Sequence, residues 1–355
     1  MIYLLIFLSS LIYIYINERK LDQVSFVKFL FILSPVFIFY WVPLAFQKGV
    51  GTDYYEYYNY FYNNYHYQYF EKKEYLYYYL VEFTKFIGVP QFQFIFISFI
   101  QSILFFIILY KIKKYGYVLW IFFIIFFLVT SIYNNQMNGL RQYVVVMFLP
   151  IIVMLLHEKK YIKFIICSFF AVNFHISVIP VIFFIIFVNY LSKIVSNKLI
   201  VVFFVISPLF YLIDFSEIIF NFMDSNNIFY SNYKDSDYND VTNFSDIALK
   251  LVPLPFFALF CFKYWHEYES NLLFKKFLII WSLTFFMFLM SMHLGMAGRF
   301  YMYFTFFTVF PIYYLFLKNK TMALIFLIYY FIFYSAKVLF FAKNEYLYFF
   351  NGVWL

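Results

Sequence analysis

The chain has 355 residues, 65% of them hydrophobic and 12% charged, and a formal net charge of +8. No water-soluble domain of this size hides that much apolar surface in one core, so a bilayer has to act as solvent. The positive residues sit in short clusters between apolar runs and form no continuous basic stripe, which argues against nucleic acid as a partner.

The runs are unbroken rather than alternating. Helices are therefore favoured over a barrel, because each helix pairs its own backbone groups in hydrocarbon. The expected fold is all-α: a polytopic membrane protein with about twelve transmembrane helices, forming a single domain over 1–355. Taken in order, the spans are 1–16, 26–46, 92–110, 117–133, 141–156, 161–174, 177–191, 199–213, 247–262, 277–292, 300–317 and 321–341. The first has no preceding Lys or Arg and no small-residue cleavage signal, so it reads as a retained helix. Several fall short of the ~20 residues that span a bilayer upright, and the pair flanking His175 reads equally as a bent or re-entrant hairpin.

Alternate loops collect the basic residues, from Arg19, Lys20 and Lys28 through Lys111, Lys113 and Lys114 to Lys318 and Lys320. By the positive-inside rule that side is cytoplasmic and both termini face outward. The opposite loops hold most of the acids and include two long segments, 47–91 and 214–246. No GxxxxGK[ST] loop and no GxGxxG after a strand exists, so any chemistry runs on energy already in the substrate. Cys167 and Cys261 lie inside apolar runs without metal-ligand or disulfide spacing. No cofactor or metal is called for.

Four stretches carry polar residues where function would need them. The first is Lys48-Gly49-Val50-Gly51-Thr52-Asp53-Tyr54-Tyr55, where two glycines allow close approach of a ligand and Asp53 is an acid or a helix cap. It opens a stretch with thirteen tyrosines between Tyr54 and Tyr79. That stretch reads either as an interfacial amphipathic helix or as a platform stacking sugar rings. Within it, Glu71, Lys72, Lys73 and Glu74 read as a solvated surface patch.

The second is Asn134-Asn135-Gln136-Met137-Asn138-Gly139-Leu140-Arg141-Gln142. Arg141 opens a helix whose terminal amides already favour an anion, and a guanidinium there suits a diphosphate. An interfacial snorkel is the plainer alternative, although an outward positive charge runs against topology. The third, Asn173-Phe174-His175-Ile176-Ser177, puts an imidazole at an outer hairpin tip as a base or a packing residue. The fourth is Gly298-Arg299-Phe300-Tyr301, with Arg299 at a matching outer mouth. In the 214–246 loop, seven carboxylates lack the glycine and terminal Glu of a calcium loop, and they read as an acidic lid or a solvated loop.

These four segments, in this order and with Tyr346-Leu347-Tyr348 near the end, resemble the EpsG-type branch of the Wzy-like O-antigen and exopolysaccharide polymerases. Two departures stand out: Gln47-Lys48 where the family often has an arginine, and Phe349-Phe350 where a proline-tyrosine pair is more usual. The resemblance implies a GT-C-like, metal-independent glycosyltransferase in the bacterial inner membrane with an outward-facing cavity. It would transfer an undecaprenyl-diphosphate-linked glycan to the next lipid-linked repeat, in company with a chain-length regulator. On that reading Arg141 and Arg299 hold the diphosphate and His175 or Asp53 is the base. Tyr54, Tyr55, Asn138, Gln142, Asn173 and Tyr301 would then contact the glycan. A lipid-linked oligosaccharide flippase, an O-antigen ligase and a membrane acyltransferase are the rival readings. The near absence of mid-span charge disfavours the flippase.

Overall fold

A computed structural model describes residues 2–206, 216–225, 254–259, 263, 271–290, 297–341, 343–350 and 353–354. It is helical apart from a two-residue antiparallel ribbon, Phe349–Phe350 with Val353–Trp354.

The expectation of twelve spans is not met by the described residues. Five helices are long and apolar enough to cross a bilayer: Ile2–Leu21, Gln91–Lys114, Leu140–His157, Phe300–Lys318 and Lys320–Phe341. A sixth candidate is the pair Phe26–Ile32 and Ser34–Ala45, bent by 74°. Pro35 in the first turn after the bend has no amide to donate back across it, which is a local reason for the break. Leu119–Thr130, Tyr161–Phe174 and Ile176–Leu191 are apolar but shorter. The expected spans 199–213, 247–262 and 277–292 run into residues outside the described set, as does most of the acidic 214–246 segment.

The chain falls into two compact units, Met1–Phe183 with Asn319–Leu355, and Phe184–Lys318. In the first unit the helices are α1 (Ile2–Asn17), α2 (Phe26–Ile32), α3 (Ser34–Ala45), α4 (Tyr54–Asn59), α5 (Tyr67–Glu71) and α6 (Tyr75–Ile87). They continue with α7 (Gln91–Lys114), α8 (Leu119–Thr130), α9 (Ile132–Asn135), α10 (Leu140–His157) and α11 (Tyr161–Phe174); α12 (Ile179–Leu191) begins in this unit and ends in the second, and Lys320–Ala336 returns to the first. Helices α1, α7 and α10 run in the same direction, and α3 runs against them. At one end Tyr3 of α1 meets Met137 and Tyr346, and Gln91 at the start of α7 donates to the Ala45 carbonyl at the end of α3. At the other end Lys113 of α7 meets Glu18 after α1, and Lys111 meets Glu158 after α10. The first is called here the aromatic end and the second the lysine end.

The core of this unit is aromatic. Tyr40 stacks on Phe105 at 4.6 Å and meets Tyr133 edge-on at 4.7 Å, while Phe105 stacks on Phe126 at 4.5 Å. The helix α10 is buried along almost its whole length. The periphery is inverted relative to a protein in water. On α11, Ile162, Ile165, Ile166, Phe169 and Phe170 form an exposed apolar stripe at helical spacing, and Leu324, Ile325, Ile328, Phe331 and Ile332 repeat it on Lys320–Ala336. Each such side chain would forgo about 2 kcal/mol if left in water, so these stripes call for lipid. The protein is a helical membrane protein.

The second unit contains Asn197–Ile206, Leu272–Met290, Ala297–Phe304 and Val309–Lys318. Phe277 stacks on Phe310 at 3.9 Å, and the buried Lys276 is satisfied by donating to Asn189 at 2.6 Å.

Candidate functional site

At the aromatic end, the glycine loop and the loop before α10 dock on each other. Gly49 and Gly51 have φ of +63° and +85°, a region L side chains rarely adopt. A Cβ at Gly51 would come within 3.0 Å of the Asn138 Cα, so the approach requires glycine. The Oδ1 of Asn138 accepts from the Asp53 amide at 3.1 Å and from Thr52 Oγ1 at 3.0 Å. Asp53 sits at the N-cap position of α4 without capping it, and its carboxylate accepts from Thr52 Oγ1 at 3.1 Å. Tyr54 is buried against Phe94, ring centroids 4.8 Å apart, whereas Tyr55 is exposed.

The same docked loop delivers Arg141. It lies in the first turn of α10, where Gly139 precedes the helix and Gln101 donates to the Leu140 carbonyl at 2.9 Å. Its guanidinium is not spread into an open mouth. It lies over the Tyr69 ring at 4.0 Å and near that of Tyr77 at 5.1 Å, the Tyr57 phenol faces it, and its Nη1 donates to Glu74 Oε2. The Nε is buried and finds no hydrogen-bond partner among the described residues.

Glu74 is the correction to the sequence reading. Expected in a solvated patch, it is fully buried, with its side chain only 1% exposed. Lys73, at φ +61°, turns the chain just before it. The other carboxylate oxygen, Oε1, accepts from His175 Nδ1 at 2.6 Å and from the Ile176 amide at 3.3 Å. Burial alone would push this carboxyl up. The Arg141 charge and the His175 hydrogen bond outweigh that and bring it down to about 2. The signal for this residue was in the periodicity: the buried positions of α6 are Tyr77, Tyr78, Val81 and Thr84, and Glu74 continues that stripe one turn upstream.

His175 ends α11 in an extended conformation, followed by a short 3-10 turn, Ile176–Val178, that leads into α12. Carboxylates only accept, so the His175 nitrogen facing Glu74 carries a proton, and in the neutral ring the basic lone pair lies on Nε2. Arg141, Glu74 and His175 thus form one continuous chain, from the separate segments 134–142, 47–91 and 173–177.

Asn173 donates to the Phe169 carbonyl of its own helix at 2.9 Å, and Gln142 is half-buried beside Gly139. Tyr301 lies in the second unit, in Ala297–Phe304, where its carbonyl accepts from Thr305. Arg299 belongs to the same helix, and its side chain falls outside the described residues, as does His293. Among the described residues no group of three or more His, Cys, Asp or Glu is placed to hold a metal ion.

The aromatic tail closes over the same end. Tyr346 donates to Asn135 Oδ1 at 2.5 Å, Tyr348 to the Pro43 carbonyl at 2.8 Å and Tyr334 to Asn134 Oδ1 at 2.9 Å. The loop that carries Asn138 into Arg141 is therefore held from the tail as well as from the glycine loop. The contacts join the glycine loop, the 134–142 loop, the 173–177 turn and the aromatic tail, and the sequence matches the EpsG family over residues 30–351. The chain belongs to the EpsG family. That is a Wzy-like polymerase family, and membership supports a polysaccharide-polymerase type of role. No curated protein and no solved structure matches the chain.

Proposed function

We propose that this EpsG-family protein is a GT-C-like glycosyltransferase of the inner membrane. On this reading it transfers a growing glycan from undecaprenyl diphosphate to the next lipid-linked repeat at the outer face. The observation that supports it is one buried carboxylate holding both an arginine suited to a diphosphate and a histidine suited to a hydroxyl.

In the proposed reaction an acceptor sugar hydroxyl attacks the anomeric carbon of the donor, with inversion. The new carbon–oxygen bond forms as the bond to the diphosphate breaks, the electron pair leaves on the diphosphate oxygen, and the hydroxyl proton passes to His175 Nε2. The diphosphate leaving group supplies the energy, and guanidinium groups are assigned the leaving-group charge that a metal ion would otherwise take. Charge grows on the departing diphosphate, so a guanidinium positioned there favours the transition state over the ground state. Arg141 brings to that task an Nε that has no partner among the described residues. Arg299 is assigned the same task on sequence alone, from its position at the start of an apolar helix on the outward side. Asp53 is bound into the loop docking, which leaves His175 as the preferred base.

The test is elongation of synthetic undecaprenyl-diphosphate-linked repeat units by the purified protein, read as a ladder of products. Arg299→Ala and Arg141→Lys are each expected to lower the elongation rate by about 100-fold or more. The lysine keeps a partner for Glu74 while removing the planar fork. Full ladders from both variants, or none from folded wild-type protein, would overturn the proposal.

A further inference from the structure

The carboxylate of Glu74 has more partners than a neutral side chain of the same shape could serve. Its Oε1 takes two donors, His175 Nδ1 and the Ile176 amide, and its Oε2 takes a third, Arg141 Nη1. All three are donors, from two segments distant in the chain, and the residue is fully buried, so water cannot replace any of them cheaply. An ion pair kept only for stability would not need the imidazole, and a packed histidine would not need the arginine.

We propose that Glu74 is a positioning residue that sets the tautomer of His175 and holds Arg141 in a partly neutralised state until a diphosphate takes over part of its charge. This rests on the reading of Arg141 and His175 given above, and it deepens that reading by linking the two. While Arg141 leans on Glu74, the carboxylate is shared between two cations or donors. An anionic ligand on the guanidinium draws that charge away and leaves more of the carboxylate to the Nδ1–H of His175. The ring is then better able to accept the acceptor's proton on Nε2. The acceptor would thus be activated chiefly when the donor is seated, which suppresses proton abstraction without a sugar to transfer.

Glu74→Gln forces a choice, because one amide oxygen cannot accept on both sides. If the oxygen turns to His175 and Ile176, the amide NH2 opposes Arg141, whose charge is then fully available to an anion. If it turns to Arg141, the NH2 donates to His175 Nδ1 and the ring must carry its proton on Nε2.

The experiment uses full-length protein in detergent labelled with [15N]histidine, His175 being assigned by the signal lost in His175→Gln, with inorganic pyrophosphate as the probe. Wild type is expected to show His175 protonated on Nδ1 at neutral pH, with its signals shifted by pyrophosphate. Glu74→Gln is expected to show either the reversed tautomer or pyrophosphate binding tightened by about tenfold. In both cases elongation should be about 100-fold slower. A purely structural role would weaken binding and rate together and would not tighten either. Wild-type tautomer, affinity and rate in folded Glu74→Gln would overturn the proposal, as would Nε2–H in the wild type.

If Glu74→Gln does not fold, Glu74→Asp retains the charge but withdraws the carboxylate by one methylene. It should then lower kcat by about tenfold with the KM for donor unchanged, and an unchanged kcat overturns the proposal. The nitrogen spectrum and pyrophosphate binding do not require a ladder, so they separate failure of this link from failure of the polymerase reading.

Discussion

The two ends of the first unit each gather charge around a carboxylate, and they do so in different ways. At the lysine end, Glu158 accepts from Lys111 Nζ at 2.6 Å and Tyr115 at 2.7 Å and pairs with Lys160 at 2.7 Å. At the aromatic end, Glu74 meets Arg141 and His175. Both carboxylates are pushed up by burial and brought down by their partners to about 2. The similarity is misleading about energy. The Glu158 side chain is 20% exposed and Lys160 is 53% exposed, whereas Glu74 is 1% exposed and its arginine is stacked on tyrosines. Lysines on flexible stems, with water beside them, can be lost one at a time, but a buried guanidinium and its carboxylate cannot. One end is a tether of water-screened lysine pairs, and the other is a rigid arrangement in which Glu74 accepts from Arg141, His175 and the Ile176 amide at once.

The largest expected effect comes from breaking the rigid end on one side only. Arg141→Ala leaves a buried carboxylate that keeps its His175 and Ile176 donors but loses its guanidinium, and should destabilise the protein by about 3–5 kcal/mol. Removing both charges, in Arg141→Met with Glu74→Gln, should recover much of that loss, because the penalty lies in the orphaned charge rather than in the pair. Thermal unfolding in detergent, read as a double-mutant cycle, checks this, and additive losses would place the two residues in separate environments.

The pH dependence sharpens the same contrast. A carboxyl lowered on folding contributes stability that is fully present above its unfolded value and lost as pH falls through its folded value. For Glu74 the window runs from 4.5 down to about 2. At ~1.4 kcal/mol for each tenfold, that is about 3 kcal/mol, which should be missing from the acid limb of Glu74→Gln. An acid limb identical to the wild type would mean that Glu74 does not hold its charge against Arg141.

Much of the scaffold was legible in the sequence because hydrocarbon imposes long apolar runs, and α1, α7, α10 and α11 appear close to where those runs lie. The ends were less legible. The helix α7 continues to Lys114 because lysines in a last turn complement the helix dipole, so charge there does not stop it. The break between α2 and α3 turns on Ser34 and Pro35, which a run-length reading passes over. At the site, Arg141 and His175 stood out because each is a rare residue at a helix end. Glu74 did not, because its neighbours Glu71, Lys72 and Lys73 suggest a surface. Only the helical spacing to Tyr77, Tyr78 and Val81 points inward, and its two partners lie 67 and 101 residues away.

The smallest expected effect lies at the lysine end. In Glu158→Gln the amide oxygen can still accept from Lys111 or Tyr115, and the charge lost is one that water and Lys160 already screen. The pair with Lys113 is also independent of it, since Lys113 is held by Glu18 at 2.7 Å and Asp22 at 2.8 Å. The loss should therefore be about 1 kcal/mol or less, and it should shrink further as salt is raised. Thermal unfolding of Glu158→Gln at low and high ionic strength measures it directly. A salt-independent loss as large as that of Arg141→Ala would show that this end, too, is a dry and rigid arrangement, and the contrast drawn from exposure would fail.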